Sequence, residues 1–321
     1  MPVNISLQDI NNARERIKKL VHETPLEYSK HYSDLTGAEV SLKLENLQIT
    51  GSFKIRGALN VMLALNPEER EKGVITASAG NHGQGIAYAS KSLNIPATVI
   101  VPTNTPQAKI DAIQEYRVLL RVAGRFYDEA EKIAINHAKV EEKHYISPYN
   151  HPDVITGQGT IGLEILDQDP EIDAVLIPVG GGGLFSGVSI AIKEQKPGVK
   201  CYGVQSEASP VFHESLKQGK IVDIHLEDSI AEGLHGGIEK GSITFDYVKK
   251  YCEEILLVNE QEIKDAMVEF NQQHNMVCEG AGAVGLAAIK RYNEFFKGKK
   301  IVIVVTGANL DVKEMKDLLF R

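Results

Sequence analysis

The stretch Ala174-Val175-Leu176-Ile177-Pro178-Val179-Gly180-Gly181-Gly182-Gly183-Leu184 sets the reading of this chain. Its first six residues are apolar without alternation, as expected of a strand covered on both faces of a parallel sheet. Four consecutive glycines follow, and a helix is expected over Leu184–Lys193. Such a run costs backbone entropy and adds no side-chain packing. It permits several N–H groups to approach an anion closely, in front of a helix N-terminus that carries partial positive charge. The turn therefore reads as a cup for a phosphate. A tight turn without a ligand would not call for four glycines in a row. A dinucleotide site is a second functional reading, but the spacing does not match G-x-G-x-x-G and no βαβ unit with an acidic ribose ligand is evident.

The same rhythm of strand, small-residue turn and helix runs outward from this point. Short apolar, β-branched runs occupy Ala38–Leu44, Gly73–Ala77, Ala97–Pro102, Leu119–Ala123, Val199–Gln205, Glu254–Val258 and Ile301–Thr306, with helical patterns between most of them. The alternation predicts an α/β fold with parallel, doubly wound sheets. Ser6 with Asp9 three residues later has the form of a capping box for the first helix. Asp128 is expected to cap a helix over Glu129–Glu142, and Glu260–Gln273 is a further amphipathic segment. With 321 residues the chain exceeds what one core usually supports, so two lobes are expected. No low-complexity linker separates them. They are therefore expected to interleave, with Lys143–Asp153 as the candidate crossing.

Composition narrows the function classes. Lys plus Arg number 35 and Asp plus Glu 43, a formal net charge of -8, which argues against binding a phosphate backbone. Trp is absent and aromatics are 6%, so a stacking platform for single-stranded nucleic acid is not expected. No apolar run reaches the roughly 18 residues that a membrane span needs. The opening MPVNISLQDI lacks the basic and apolar regions of a secretory signal. Three scattered cysteines, Cys201, Cys252 and Cys278, fit a reducing cytoplasm and exclude a disulfide framework or a cysteine zinc cluster. The expectation is a cytoplasmic protein that acts on a small molecule and binds neither nucleic acid nor membrane.

Two further strand-to-helix turns stand out, and ligands of open α/β sheets bind beyond the carboxyl ends of strands. Ser78-Ala79-Gly80-Asn81-His82-Gly83-Gln84-Gly85 would offer backbone donors to a carboxylate. Taken alone, His82 reads as a capping or core histidine. No second His sits four residues on, so no metal site is expected there. Gly51-Ser52-Phe53-Lys54-Ile55-Arg56-Gly57-Ala58 places Lys54 between apolar neighbours, ahead of a helix over Ile55–Leu65. A lone lysine is usually a solvated surface group. Apolar surroundings would lower its pKa and make the amine nucleophilic. A phosphate cup, a reactive amine and a carboxylate loop are together the parts of a pyridoxal-phosphate site.

The motifs Glu45–Gly57, Ser78–Gly85, Gly180–Leu184, Glu279–Ala283 and Thr306–Asn309, in that order and spacing, resemble the serine/threonine dehydratase family of fold type II pyridoxal-phosphate enzymes. The resemblance extends over essentially the whole chain. It implies two interleaved doubly wound α/β lobes of the tryptophan synthase β type. Residues 1–65 and 145–321 would form a large lobe and residues 66–144 a small one inserted in it. Homodimers or homotetramers are usual in this family. The implied activity is β-elimination of water from L-threonine or L-serine, giving a 2-oxo acid and ammonia. Serine racemase and a hydroxyaspartate or other hydroxy-amino-acid dehydratase are the alternatives on the same scaffold. A non-catalytic cofactor carrier or an NAD-dependent dehydrogenase is the alternative of another class.

The resemblance also implies residue roles. Lys54 would form the Schiff base with pyridoxal 5'-phosphate and later move the Cα proton. Phe53 would pack on the ring, Asn81 would meet the ring 3-hydroxyl, and Gly233 would line the other ring face. Gly180, Gly181, Gly182, Gly183 and Leu184 would hold the phosphate, and Thr306 would face the pyridine nitrogen. Ser78, Ala79, Gly80, Asn81 and His82 would take the substrate carboxylate. The related racemases have a serine at the position of Ala79, so racemisation is not expected here. Their acidic cation ligands fall on Gln205 and Val211, with Ser209 at a backbone-ligand position, so no divalent metal site is expected. The C-terminal regulatory domain of the longer biosynthetic enzymes is not seen after Thr306, and isoleucine feedback is not expected.

Overall fold

The computed structural model describes residues 4–311 and residue 316. The implied large lobe's outermost residues, 1–3, 312–315 and 317–321, lie outside the described residues. The strands are β1 (Leu26–Tyr28), β2 (Glu39–Leu44), β3 (Val74–Ala77), β4 (Ala97–Val101), β5 (Leu119–Val122), β6 (His144–Tyr145), β7 (Ala174–Pro178), β8 (Lys200–Ser206), β9 (Glu254–Val258) and β10 (Lys300–Val305). One sheet has the order β1-β2-β10-β7-β8-β9 and the other β5-β4-β3-β6. Every pairing is parallel except β1 with β2. The four-stranded sheet is drawn wholly from residues 74–145, between β2 and β7 of the six-stranded one.

The eight apolar runs of the sequence all become strands. β7 shows why they do not alternate. Ala174 and Leu176 pack into a core with Leu42, Val284 and Ile303, whereas Val175 and Ile177 pack into a second core with Phe185, Val188 and Val302. Helices cover both faces, so both sets of side chains are buried. Sequence reading missed β1 and β6, which have three and two residues. Runs that short carry no periodicity, and only tertiary pairing makes them strands.

Helix starts follow local rules where a polar side chain is available. Ser6 and Asp9 form the expected capping box, and Asn259 with Glu262 forms another ahead of Glu260–His274. Asp128 is a correction. Its helix spans Tyr127–Val140 with Phe126 at the N-cap, so Asp128 lies in the first turn. There its charge faces the positive end of the helix dipole.

Two close packings fix the frame around the glycine loop. The helices Lys54–Ala64, Pro152–Gln168 and Gly183–Gln195 touch backbone to backbone. A Cβ on Gly157 would lie 2.6 Å from the Cα of Gly57, and one on Gly187 would lie 2.6 Å from the nitrogen of Gly159. The second packing is a buried charge cluster around Arg56. Its Nε and Nη2 donate to the two carboxylate oxygens of Glu45, both at 2.8 Å. Its Nη1 and Nη2 donate to Glu164 at 2.5 and 2.9 Å. Lys43 Nζ donates to Glu164 Oε2 at 2.7 Å and to the Thr24 carbonyl at 2.6 Å. Burial alone would raise Glu45, yet Arg56, with Lys43 and Thr24, holds its carboxyl below the usual carboxylate range.

Removing one member of a buried ion cluster leaves its partner charged and unpaired, at a cost of about 3–5 kcal/mol. Arg56→Met, which keeps much of the volume, should therefore lower unfolding stability by about that amount in a denaturant titration. A midpoint within experimental error of the unaltered chain would contradict this account of the cluster.

Candidate active site

Lys54 is the first residue of its helix, with Phe53 at the N-cap. The segment leading in is tied to the end of β10. The Phe53 N–H donates to the Thr306 carbonyl at 3.2 Å, and Ser52 bridges to Gly307. The Lys54 amine donates to the Pro148 carbonyl at 2.9 Å and lies 5.2 Å from the centre of the Phe53 ring. Burial pushes this amine down to about 8, against the opposing pull of Glu279. The apolar neighbours read from the sequence act in the expected direction.

The residue after Pro148 reaches the glycine loop. A Cβ on Gly181 would fall 2.3 Å from the Tyr149 ring, and one on Gly183 would fall 3.0 Å from the Tyr149 Cα. Gly182 has φ 86°, the left-handed conformation that an L side chain rarely adopts. It is also the N-cap of Gly183–Gln195, and no side chain caps that helix. The Ser186 N–H is the first to bond back, to the Gly182 carbonyl at 2.9 Å. The preceding N–H groups of the turn have no intrahelical partner and point out of the helix end. Thr244 Oγ1 donates to the Gly181 carbonyl at 2.8 Å and steadies the loop from behind. From the side of β8, the buried Gln205 amide donates to the Val179 carbonyl at 3.1 Å and accepts from the His213 N–H at 3.0 Å.

The Ser78–His82 turn closes the other side. Gly80 is the N-cap of Asn81–Leu93, again with no side-chain cap, and a Cβ there would meet nothing within 4 Å. Ser78 Oγ accepts from the Gly80 N–H at 3.2 Å. Ala79 is half-buried against the core that contains Ile55, Ile86, Val99 and Ile113. His82 is 2% exposed, with Nε2 3.4 Å from the Ile146 carbonyl, and burial together with the Lys54 charge pushes it down to about 3. Its ring is buried, and its Nδ1 has no hydrogen-bond partner among the described residues. One turn later, a Cβ on Gly85 would lie 3.3 Å from the Lys54 carbonyl carbon, so this helix packs directly on the start of the Lys54 helix.

Two residues without an assigned role in the sequence reading, Glu279 and Asn309, join these parts through Asn81. Asn81 Nδ2 donates to Glu279 Oε1 at 2.7 Å, and Asn309 Nδ2 donates to Asn81 Oδ1 at 2.7 Å and to the Thr50 carbonyl at 2.9 Å. Glu279 is the N-cap residue of Gly280–Arg291, and burial raises its carboxyl to about 7. Gly233 belongs to the turn Glu232–Leu234. A Cβ on it would lie 3.8 Å from Glu279 Oε1, and its carbonyl is 3.1 Å from where a Cβ of Gly180 would be. Lys109 and Glu232 pair across the mouth. The structure thus gathers Phe53, Lys54, Asn81, Gly180–Gly183, Gly233 and Thr306 around one cleft. The sequence held Glu279 and Asn309 inside its quoted motifs, but nothing local showed that they meet Asn81. Tyr149 and Pro148 carried no sequence signal.

Residues 17–307 match the pyridoxal-phosphate dependent enzyme family. The chain belongs to that family. An L-threonine ammonia-lyase of Thermotoga maritima is 46% identical over 309 residues, covering 96% of this chain and 76% of that protein. Threonine deaminase isoform 2 from Solanum lycopersicum superposes with a TM-score of 0.93 at 38% identity, over 97% of this chain and 86% of that one. Maize serine racemase superposes with a TM-score of 0.94 at 32% identity, over 98% and 97% of the two chains. The fold is that of the fold type II pyridoxal-phosphate enzymes, and the family's cofactor is pyridoxal phosphate.

The residues present fit that cofactor. An uncapped, glycine-lined helix start suits its phosphate. An amine of lowered basicity suits its aldehyde. Thr306 is 2% exposed and its Oγ1 has no hydrogen-bond partner, so a buried hydroxyl is left over for a polar ring atom. The neutral amine is the form that reacts. With a pKa of about 8, its neutral fraction should climb roughly fivefold from pH 7 to pH 8 and be nearly complete above about pH 9. The rate at which cofactor-free protein captures pyridoxal phosphate should follow that curve in stopped-flow absorbance. A rate still rising steeply beyond pH 10, like that of a solvated lysine, would disprove the effect of burial.

Proposed function

We propose that this chain is a pyridoxal-phosphate dependent lyase that converts L-threonine or L-serine to a 2-oxo acid and ammonia. The observation that carries this reading is the dipeptide Pro148-Tyr149, whose carbonyl holds the Lys54 amine while its ring packs on Gly181 of the glycine loop. A nucleophilic amine and an anion-binding helix start are thereby held in one frame, as a phosphorylated aldehyde requires. The names of the Thermotoga and tomato relatives support the substrate class.

In this reading Gly180–Leu184 bind the phosphate with backbone N–H groups, and Phe53 and Gly233 flank the ring. Asn81 directs an amide N–H at the ring oxygen, and Thr306 faces the ring nitrogen. The first-turn N–H groups of Asn81–Leu93, with Ser78, Ala79 and Gly80, take the substrate carboxylate, where the helix dipole favours negative charge. The bound cofactor supplies an electron sink for the bonds at Cα. Lys54 holds the cofactor and, once displaced by the substrate amine, accepts the Cα proton at Nζ. The β-hydroxyl then departs as water, and hydrolysis of the released product returns that water and frees ammonia. Thr306 is neutral and cannot hold the ring nitrogen protonated as an aspartate would. That weakens the sink and favours prompt loss of a β-substituent over slower exchange at Cα. Ala79 has no acid or base to serve the second face of Cα, which disfavours the racemase reading.

Residues 1–65 and 145–321 are assigned to the cofactor-binding lobe and residues 66–144 to the lobe that closes on it. A cytoplasmic homodimer or homotetramer completes the proposal. The purified protein should show the visible band of a lysine-bound cofactor and should release ammonia and a 2-oxo acid from L-threonine. Lys54→Ala should lose both. Accumulation of D-serine from L-serine without ammonia would overturn the lyase reading. Thr306→Asp should raise transamination or racemisation relative to ammonia release, and an unchanged product ratio would refute the role given to Thr306.

A further inference from the structure

Asn81, Glu279 and Asn309 come from three separate elements, and their hydrogen bonds form a chain of fixed polarity across the cleft. The Thr50 carbonyl can only accept, so Asn309 must turn its nitrogen toward it. That same nitrogen reaches Asn81 and must meet an oxygen, which it does at 2.7 Å. From the other side, Glu279 Oε1 accepts from the nitrogen of Asn81, also at 2.7 Å, and above about pH 7, where its carboxyl is ionised, it can only accept. Both ends select the same orientation of the Asn81 amide. Asn81 Nδ2 has a second N–H beyond the one given to Glu279.

Glu279 has little freedom to leave this arrangement. A Cβ on Gly307 would lie 2.7 Å from its Oε1. Its own N–H donates to the Gly307 carbonyl at 2.9 Å, and the Asn309 backbone donates back to its carboxyl. Lys109 and Glu232 face it with opposite charges and are paired to each other.

We propose that Glu279 is a positioning residue for the bound cofactor: acting through Asn81, it ensures that an amide N–H, and not the amide oxygen, meets the cofactor's ring oxygen. This rests on the proposed function above, in which Asn81 meets the ring. An amide oxygen in that place would repel the electron-rich ring oxygen. Asn309 supplies the same constraint from the opposite side, so the orientation is held twice. Glu279 touches no reacting atom and acts only through its neighbour.

The experiment is a double-mutant cycle of Glu279→Gln and Asn81→Ala in the full chain. It reads the dissociation constant for pyridoxal phosphate and the visible absorption spectrum of the loaded protein. Glu279→Gln is nearly isosteric but replaces one acceptor oxygen by a donor. Alone it should weaken cofactor binding about tenfold, the scale of one well-aligned hydrogen bond to a charged group, and alter the spectrum. Added to Asn81→Ala it should change neither. Should Glu279→Gln fail to fold, Glu279→Asp keeps the charge but withdraws the carboxylate by one methylene, and carries the same expectation. Losses that add across the two positions would overturn this role, as would cofactor binding by Glu279→Gln as tight as that of the unaltered chain. Either result would leave the proposed function standing. An unaltered chain that does not hold pyridoxal phosphate at Lys54 would overturn both.

Discussion

The rest of the structure depends on the buried charges around Arg56. One guanidinium with no exposed surface joins Glu45, after β2, to Glu164, on the helix Pro152–Gln168, and Lys43 completes the balance at two cations and two carboxylates. Such a cluster is a poor source of net stability, because desolvation consumes most of the Coulomb gain. Its value is directional. The planar fork of arginine accepts few geometries, and four hydrogen bonds to two carboxylates leave the Lys54 helix little room to slide or turn. Lys54 stands two residues before Arg56, so the precision of the cluster becomes the precision of the amine.

The glycine contacts transmit that position to the phosphate loop. The Lys54 helix meets Pro152–Gln168 at Gly57 and Gly157, and that helix meets Gly183–Gln195 at Gly159 and Gly187. Helices packed backbone to backbone cannot shift independently. The nucleophile and the anion cup are therefore the two ends of one rigid stack, and the Pro148-Tyr149 strap bridges them directly. The third wall, the start of Asn81–Leu93, belongs with the four-stranded sheet. It meets the stack at Gly85 and through Ile86 and Ala87, and it reaches the start of Gly280–Arg291 through the Asn81–Glu279 bond. The wall that takes the substrate thus shares an apolar core, Ile86 and Ala87 against Ile55 and Ala58, with the helix that carries the amine.

The electrostatics divide the same way. Burial lowers the Lys54 amine to about 8 and raises Glu279 to about 7, so two groups in one cleft are both drawn toward neutrality. Opposed shifts of this kind are the usual mark of a working site. His82, pushed down to about 3, does not join them, because its ring is buried beside Ile146 and is a structural part of the wall.

Much of this was legible in the chain itself. Eight apolar runs became strands because period and length report burial on one face or both, and the four glycines marked a turn too crowded for side chains, where the phosphate is proposed to bind. The capping box at Ser6 is local chemistry and needs no fold to be read. What remained hidden depends on contacts between residues far apart in the chain. β1 and β6 are too short to show a pattern, and Asp128 lost its expected cap to a helix that begins two residues earlier, at Tyr127. Pro148 and Tyr149 gain their roles only from what they touch. The polarity of Asn81 is set by Glu279 and Asn309, which lie 198 and 228 residues away. By itself the sequence determined which atoms are available and which segments are buried. Tertiary structure alone decided which donor meets which acceptor, because a hydrogen bond is satisfied by distance and direction in space and leaves no trace in spacing along the chain.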